Sequence, residues 1–106
     1  MPAWRARSTH ERAPMTAMTI THDAAAGRFE AHIEGQLAEC SYRLVDGVMA
    51  IHHTGVPRAL EGRGIAAALV QAALAHARAQ GWRVRPLCSY VQVYMRRHPD
   101  TRDLLA

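Results

Sequence analysis

The chain has no lysine; all thirteen of its strongly basic side chains are arginine. That absence removes a lysine Schiff base and the lysine of a Walker phosphate loop from consideration. Nowhere do about 18 apolar residues run together, as a membrane-spanning helix requires, so no membrane partner is expected. The opening Met1-Pro2-Ala3-Trp4-Arg5-Ala6-Arg7 lacks the apolar core of a secretory leader, and a cytoplasmic protein is expected. Cysteine is scarce: Cys40 and Cys88 are the only two, far apart and without CxxC spacing. This argues against a zinc knuckle, a thioredoxin motif and a disulfide scaffold, and leaves reduced thiols as the expectation. The seven histidines include no HxxxH pair, so no metal is expected either.

What is present is a basic balance of +4. The arginines are scattered, clustering only at Arg83/Arg85 and Arg96/Arg97, so no nucleic-acid partner is expected. Phosphate on a small ligand accounts for the same charge. With 106 residues the chain is long enough for one core and too short for two. Residues 1–19 mix Arg, Ser, Thr, Pro and Ala without a sustained period and read as a disordered extension, with Met15 or Met18 as alternative starts. Residues 20–106 read as a single domain.

Within that domain Ile20-Thr21-His22 begins a short strand, and Asp23 to Gly27 is a turn. Phe29 to Ile33 alternates apolar and polar residues as a half-buried strand does. After a tight turn at Glu34-Gly35 the alternation continues from Gln36 to Val45, with Leu37, Cys40, Tyr42 and Leu44 available for packing and room for a bulge. Asp46-Gly47 is the strongest hairpin signal, because both central positions of a type I′ turn need positive φ. Val48 to Thr54 is the next strand. A helix is predicted from about Gly62 to Gln80, with Ile65, Leu69, Ala72 and His76 on one stripe and Val70, Ala73, Leu74 and Ala77 on another. Arg83 to Leu87 then returns as a strand, parallel by the usual strand-helix-strand rule. A second helix runs from Ser89 to about Arg97, and Asp100 to Ala106 is an irregular tail. The fold class is α+β, an α/β sandwich: an antiparallel meander, a strand-helix-strand unit and a C-terminal helix.

The chain is organised around Leu60-Glu61-Gly62-Arg63-Gly64-Ile65-Ala66, a glycine loop that runs straight into the long helix. A helix start leaves its first N–H groups without intrahelical partners and carries partial positive charge, which suits phosphate. Gly62-Arg63-Gly64-Ile65-Ala66-Ala67 formally satisfies the dinucleotide pattern G-x-G-x-x-A. That reading fails on context. A meander precedes the loop, and no acidic residue occurs between Gly62 and Pro99 to hold a ribose.

Glu61-Gly62-Arg63-Gly64-Ile65-Ala66 instead resembles the acyl-coenzyme A loop of the Gcn5-related N-acetyltransferases, [RQ]-x-x-G-x-[GA], at every defined position except the first, where Glu61 stands. His53-Thr54-Gly55-Val56-Pro57 before the loop is similar to the small single-domain branch of that superfamily. So are Pro86-Leu87-Cys88-Ser89-Tyr90-Val91, Tyr94 and His98-Pro99 after the helix. The resemblance covers about Arg28 to Leu105. It implies a GNAT-like fold whose strands ending near His53 and Cys88 splay apart, with acetyl-CoA as co-substrate and its pantetheine arm in the gap. Val56, Glu61, Gly62, Arg63, Gly64, Ile65 and Ala66 are then the cofactor-binding residues.

Three side chains are candidates for chemistry. Cys88 begins a helix, whose N-terminus favours thiolate over thiol, and the resemblance implies an active-site cysteine here. His53 ends the third meander strand, where a neutral imidazole takes the proton of an attacking amine; His52 points to the opposite face of a regular strand. Tyr94 is the match to a superfamily tyrosine that protonates the departing thiolate. Two readings stay open: an N-acetyltransferase acting on an unidentified amine, small molecule or protein, and a non-catalytic module that binds CoA or another phosphorylated ligand. Monomer and weak dimer are equally compatible with a meander edge strand.

Overall fold

The computed structural model describes residues 18–106. Of the extension expected over 1–19, the first seventeen positions lie outside the described residues. Five strands form one sheet in the order β1 (Ile20–Asp23), β2 (Arg28–Ile33), β3 (Gln36–Val45), β4 (Val48–Gly55) and β5 (Arg83–Pro86). The first four are antiparallel neighbours and β5 is parallel to β4, so the α+β architecture is as the sequence implies. The β2–β3 and β3–β4 hairpins each turn on a left-handed pair, Glu34-Gly35 with φ of 54° and 76° and Asp46-Gly47 with φ of 51° and 76°. This is the backbone a type I′ connection demands, and it matches the twist of the strands it joins.

Helix α1 spans Ile65–Gln80 and helix α2 spans Ser89–Arg97. The α1 start falls three residues later than the sequence pattern suggests. Gly62 and Gly64 adopt φ of 84° and 79°, which no right-handed helix accommodates, so the loop ends where the glycines end. Gly81 closes α1 in the left-handed conformation, and its N–H bonds back to Ala77 and Arg78 carbonyls. The tail is more ordered than expected. Pro99–Leu104 is a 3-10 helix with Leu104 buried, and Leu105 bridges Val84 beside β5. The Arg78 guanidinium grips both carboxylate oxygens of Asp103, at 2.7 and 3.0 Å, tying the end of α1 to this tail.

One face of the sheet carries the core. Phe29, Ala31, Ala38, Cys40, Tyr42, Met49, Ile51 and Val84 pack beneath Leu69, Val70, Ala73, Leu74 and Ala77 of α1 and Val91 and Met95 of α2. Leu37 and Leu44 depart from expectation. Both are substantially exposed, at 38% and 44%. Leu37 could share a face with Cys40 only if β3 were bulged between them. The bulge lies in β4 instead, so β3 alternates regularly through Ala38, Cys40 and Tyr42 and turns Leu37 outward. The alanine-rich surface of α1 brings Leu69 close to the sheet with no exposure at all. Leu69→Ala should therefore lower stability by about 2–5 kcal/mol, read as a lower denaturant midpoint with unchanged slope.

Candidate active site

The β4–β5 ladder ends at Ile51 and Pro86. Beyond it the Ile51 carbonyl accepts two N–H bonds, from Leu87 at 2.9 Å and Cys88 at 3.0 Å, which swing the chain away from β4 and into α2. From His52 to Gly55 no strand among the described residues lies beside β4 on that side. The unpaired backbone opens a gap, as the expected splay requires.

The same stretch of β4 carries a β-bulge. Tyr42 pairs with Ile51 but Ser41 pairs with His53, so His52 is an extra residue. A bulge inverts the alternation downstream of it. Thr54 therefore stands opposite buried Cys40, on the helix side of the sheet, and His53 stands opposite Ser41 on the open side. This reverses the regular-strand expectation, in which His53 shared a face with Met49 and Ile51. His53 is 57% exposed, and its Nε2 lies 3.9 Å from Glu39 Oε2. The ring folds over Gly55, where a Cβ would stand 2.8 Å from Nε2, so the absence of a side chain at 55 lets the imidazole reach Glu39.

Between the splayed strand end, the glycine loop and the start of α1 lies a cleft of about 500 Å³. Of the residues singled out from the sequence for cofactor binding, Val56, Glu61, Gly62, Gly64, Ile65 and Ala66 line it. Gly64 is the N-cap of α1 in a left-handed conformation, no side chain caps the helix, and its first turn holds no acidic residue. The leading N–H groups of α1 thus face the cleft without a competing carboxylate from their own helix. A Cβ built on Gly62 or Gly64 would meet nothing within 4 Å. What the two glycines keep clear is space beside the backbone.

Arg63 is not among the lining residues. Its Nη1 donates to Glu34 Oε2 at 2.8 Å, across to the β2–β3 turn, and this guanidinium holds the Glu34 carboxyl below the ordinary carboxylate range. Both partners are about half exposed, 48% and 59%, and an exposed pair of this kind is easily exchanged for another anion.

Cys88 caps α2 from an extended backbone conformation, with its Sγ 3.7 Å from Thr54 Oγ1. Its S–H donates to the Thr54 hydroxyl; burial opposes its thiolate, but the nearby Val91 N–H, the Thr54 hydroxyl, the Tyr90 N–H and the Thr54 backbone favour it more, and its pKa lies below the usual thiol value. Tyr94 stacks on His98, ring centroids 4.0 Å apart, and does not line the cleft. Burial pushes its phenol up, helped by nearby Tyr90 and Asp100. Tyr90, one turn earlier in α2, does line the cleft. In the sequence Tyr90 and Thr54 stand only within the flanking motifs, with no role of their own. The i, i+4 spacing of the two tyrosines left both on one helix face, and which end of that face meets the gap depends on the tertiary position of α2.

A second hollow, about 760 Å³, lies toward the C-terminal end of α1 and holds none of these residues. It is walled by His22, Tyr42, His76 and Trp82. His22 stacks on Phe29 and its Nε2 meets the Tyr42 hydroxyl at 2.5 Å, so this cluster seals the core edge. Among the described residues no group of His, Cys, Asp or Glu is arranged to hold a metal ion, and no helix is long and apolar enough to cross a membrane.

A sequence model of the GCN5-related N-acetyl-transferase family matches residues 28–104, from β2 to the end of the tail helix. Among solved structures, the chain is similar to a GCN5-like candidate N-acetyltransferase from Staphylococcus aureus determined by NMR. The TM-score is 0.67 at 27% identity, over 83% of this chain and 87% of that one. A search among curated proteins finds no match.

Proposed function

The chain belongs to the GCN5-related N-acetyltransferase family, and from that premise we propose that it moves the acetyl group of acetyl-CoA to an amine. The observation that carries the donor assignment is the cleft where β4 and β5 part, roofed by an uncapped helix start. The pyrophosphate takes N–H bonds from Gly64, Ile65 and Ala66, and Arg63 exchanges Glu34 for it. Val56 and Gly62 flank the pantetheine arm, with Glu61 at the rim. Residues 20–106 act as one domain, a monomer or weak dimer in the cytoplasm, and no metal takes part.

The acyl carbonyl reaches Cys88 through the gap. The Cys88 thiolate attacks the carbonyl carbon, the new S–C bond forms, and the bond to CoA sulfur breaks. The departing CoA thiolate takes a proton; for this the observations support Tyr90, which lines the cleft, over Tyr94, which is stacked on His98. The amine enters from the open face of the sheet and attacks the Cys88 thioester; the C–N bond forms, the C–S bond breaks and returns the Cys88 thiolate, and the amine proton goes to His53, whose charge Glu39 then offsets. Donor and acceptor thus approach from opposite faces, which accounts for a histidine and a cysteine on different sides of one strand gap.

Calorimetric titration of acetyl-CoA into the full chain tests the donor assignment, with saturable binding expected; no binding would return the loop to a plain helix entry. His53→Ala should lower turnover about 10²–10⁴-fold at neutral pH without loosening acetyl-CoA. Equal turnover in the variant would remove His53 from the mechanism.

A further inference from the structure

Thr54 and Cys88 come from distant parts of the chain and meet at one hydroxyl, with Cys88 Sγ 3.7 Å from Thr54 Oγ1. Thr54 is opposed to buried Cys40 across β3 and β4. The meeting depends on the bulge at His52, since without it Thr54 would face the open side of the sheet. A threonine hydroxyl has one proton to donate and lone pairs to accept with, so it can accept from a thiol and donate to a thiolate.

We infer that Thr54 is a positioning residue for Cys88: its hydroxyl accepts from the Cys88 S–H and turns to donate to the same sulfur once the thiolate forms. This rests on the proposed function only in taking Cys88 as the reactive thiol. Cys40, opposite Thr54, is fully buried, and burial pushes its thiol up to about 11. The other groups facing Cys88 are the backbone N–H groups of Tyr90 and Val91 in its own helix, the backbone of Thr54 from β4 and the Cys40 thiol from β3, while His53 faces the opposite side.

The test is the pH profile of iodoacetamide alkylation of the free full-length protein, read as mass added to the Cys88 peptide. Thr54→Val is expected to raise the midpoint by roughly one pH unit and slow the reaction at pH 7 about tenfold. Thr54→Ser, which keeps the hydroxyl, is expected to follow the parent profile. An unchanged midpoint in Thr54→Val overturns the inference, and so does an equal rise in Thr54→Val and Thr54→Ser, which would reduce Thr54 to packing. No acetyl-CoA is present, so the result stands apart from turnover: a Cys88→Ala protein that acetylates normally defeats the acyl-thiol step and leaves the alkylation profile untouched.

Discussion

Cys88→Ala should reduce acetyl transfer about 100-fold or more while acetyl-CoA binds as tightly as to the parent. The thiol sits at the one point where the β4–β5 ladder has stopped and α2 has begun, held by N–H groups of that helix start and by the Thr54 hydroxyl. Removing the sulfur deletes the attacking atom and leaves the glycine loop, more than twenty residues earlier, as it was. Steady-state kinetics together with calorimetry separates the two effects. Intact-mass analysis of the parent incubated with acetyl-CoA should show one added acetyl group, lost in the variant. Unchanged turnover in Cys88→Ala would mean that the amine attacks the CoA thioester directly, with Cys88 serving only as the residue that starts α2.

Gly64→Asp should weaken acetyl-CoA binding at least about 100-fold, close to 2.8 kcal/mol at 1.4 kcal/mol per decade. Two effects act together. A side chain at 64 enters the empty space beside the helix start, and its carboxylate stands against the N–H groups that the pyrophosphate needs. Backbone strain is the smaller consideration: φ at 64 is 79°, and aspartate tolerates the left-handed region better than most residues. The variant should therefore stay folded, with a melting temperature only a few degrees lower. Binding retained in Gly64→Asp would put the pyrophosphate elsewhere.

Much of this architecture is legible from local chemistry. The Asp46-Gly47 and Glu34-Gly35 pairs announce hairpins because few residues accept positive φ, and the meander follows from them. The strand-helix-strand return at Arg83 and the helix stop at Gly81 are likewise read from residue type. The glycine loop is readable as a candidate anion site because adjacency to a helix start is a property of sequence order. The tail, irregular by its sequence, is ordered in the fold: Leu104 and the Leu105 bridge are held by contact with β5 and by Arg78 reaching Asp103, partners that sequence distance conceals.

The side of the sheet on which each active-site group stands is another matter. Alternation in Val48 to Thr54 assigns His53 to the helix face, and one extra residue at His52 moves it to the open face and brings Thr54 in. Nothing local marks that bulge, because it answers to the register imposed by β3 from the other side of the hairpin. The same holds for Arg63, drawn to Glu34 by the proximity of two loops, and for the choice of Tyr90 over Tyr94 at the cleft. The amino-acid sequence by itself determined the elements, their order and the placing of a glycine loop at a helix start, since turn dihedrals, helix ends and hydrophobic period act over a few residues. Only the tertiary structure decided which thiol, hydroxyl and imidazole share the strand gap, since strand register and helix docking depend on partners far away in the chain.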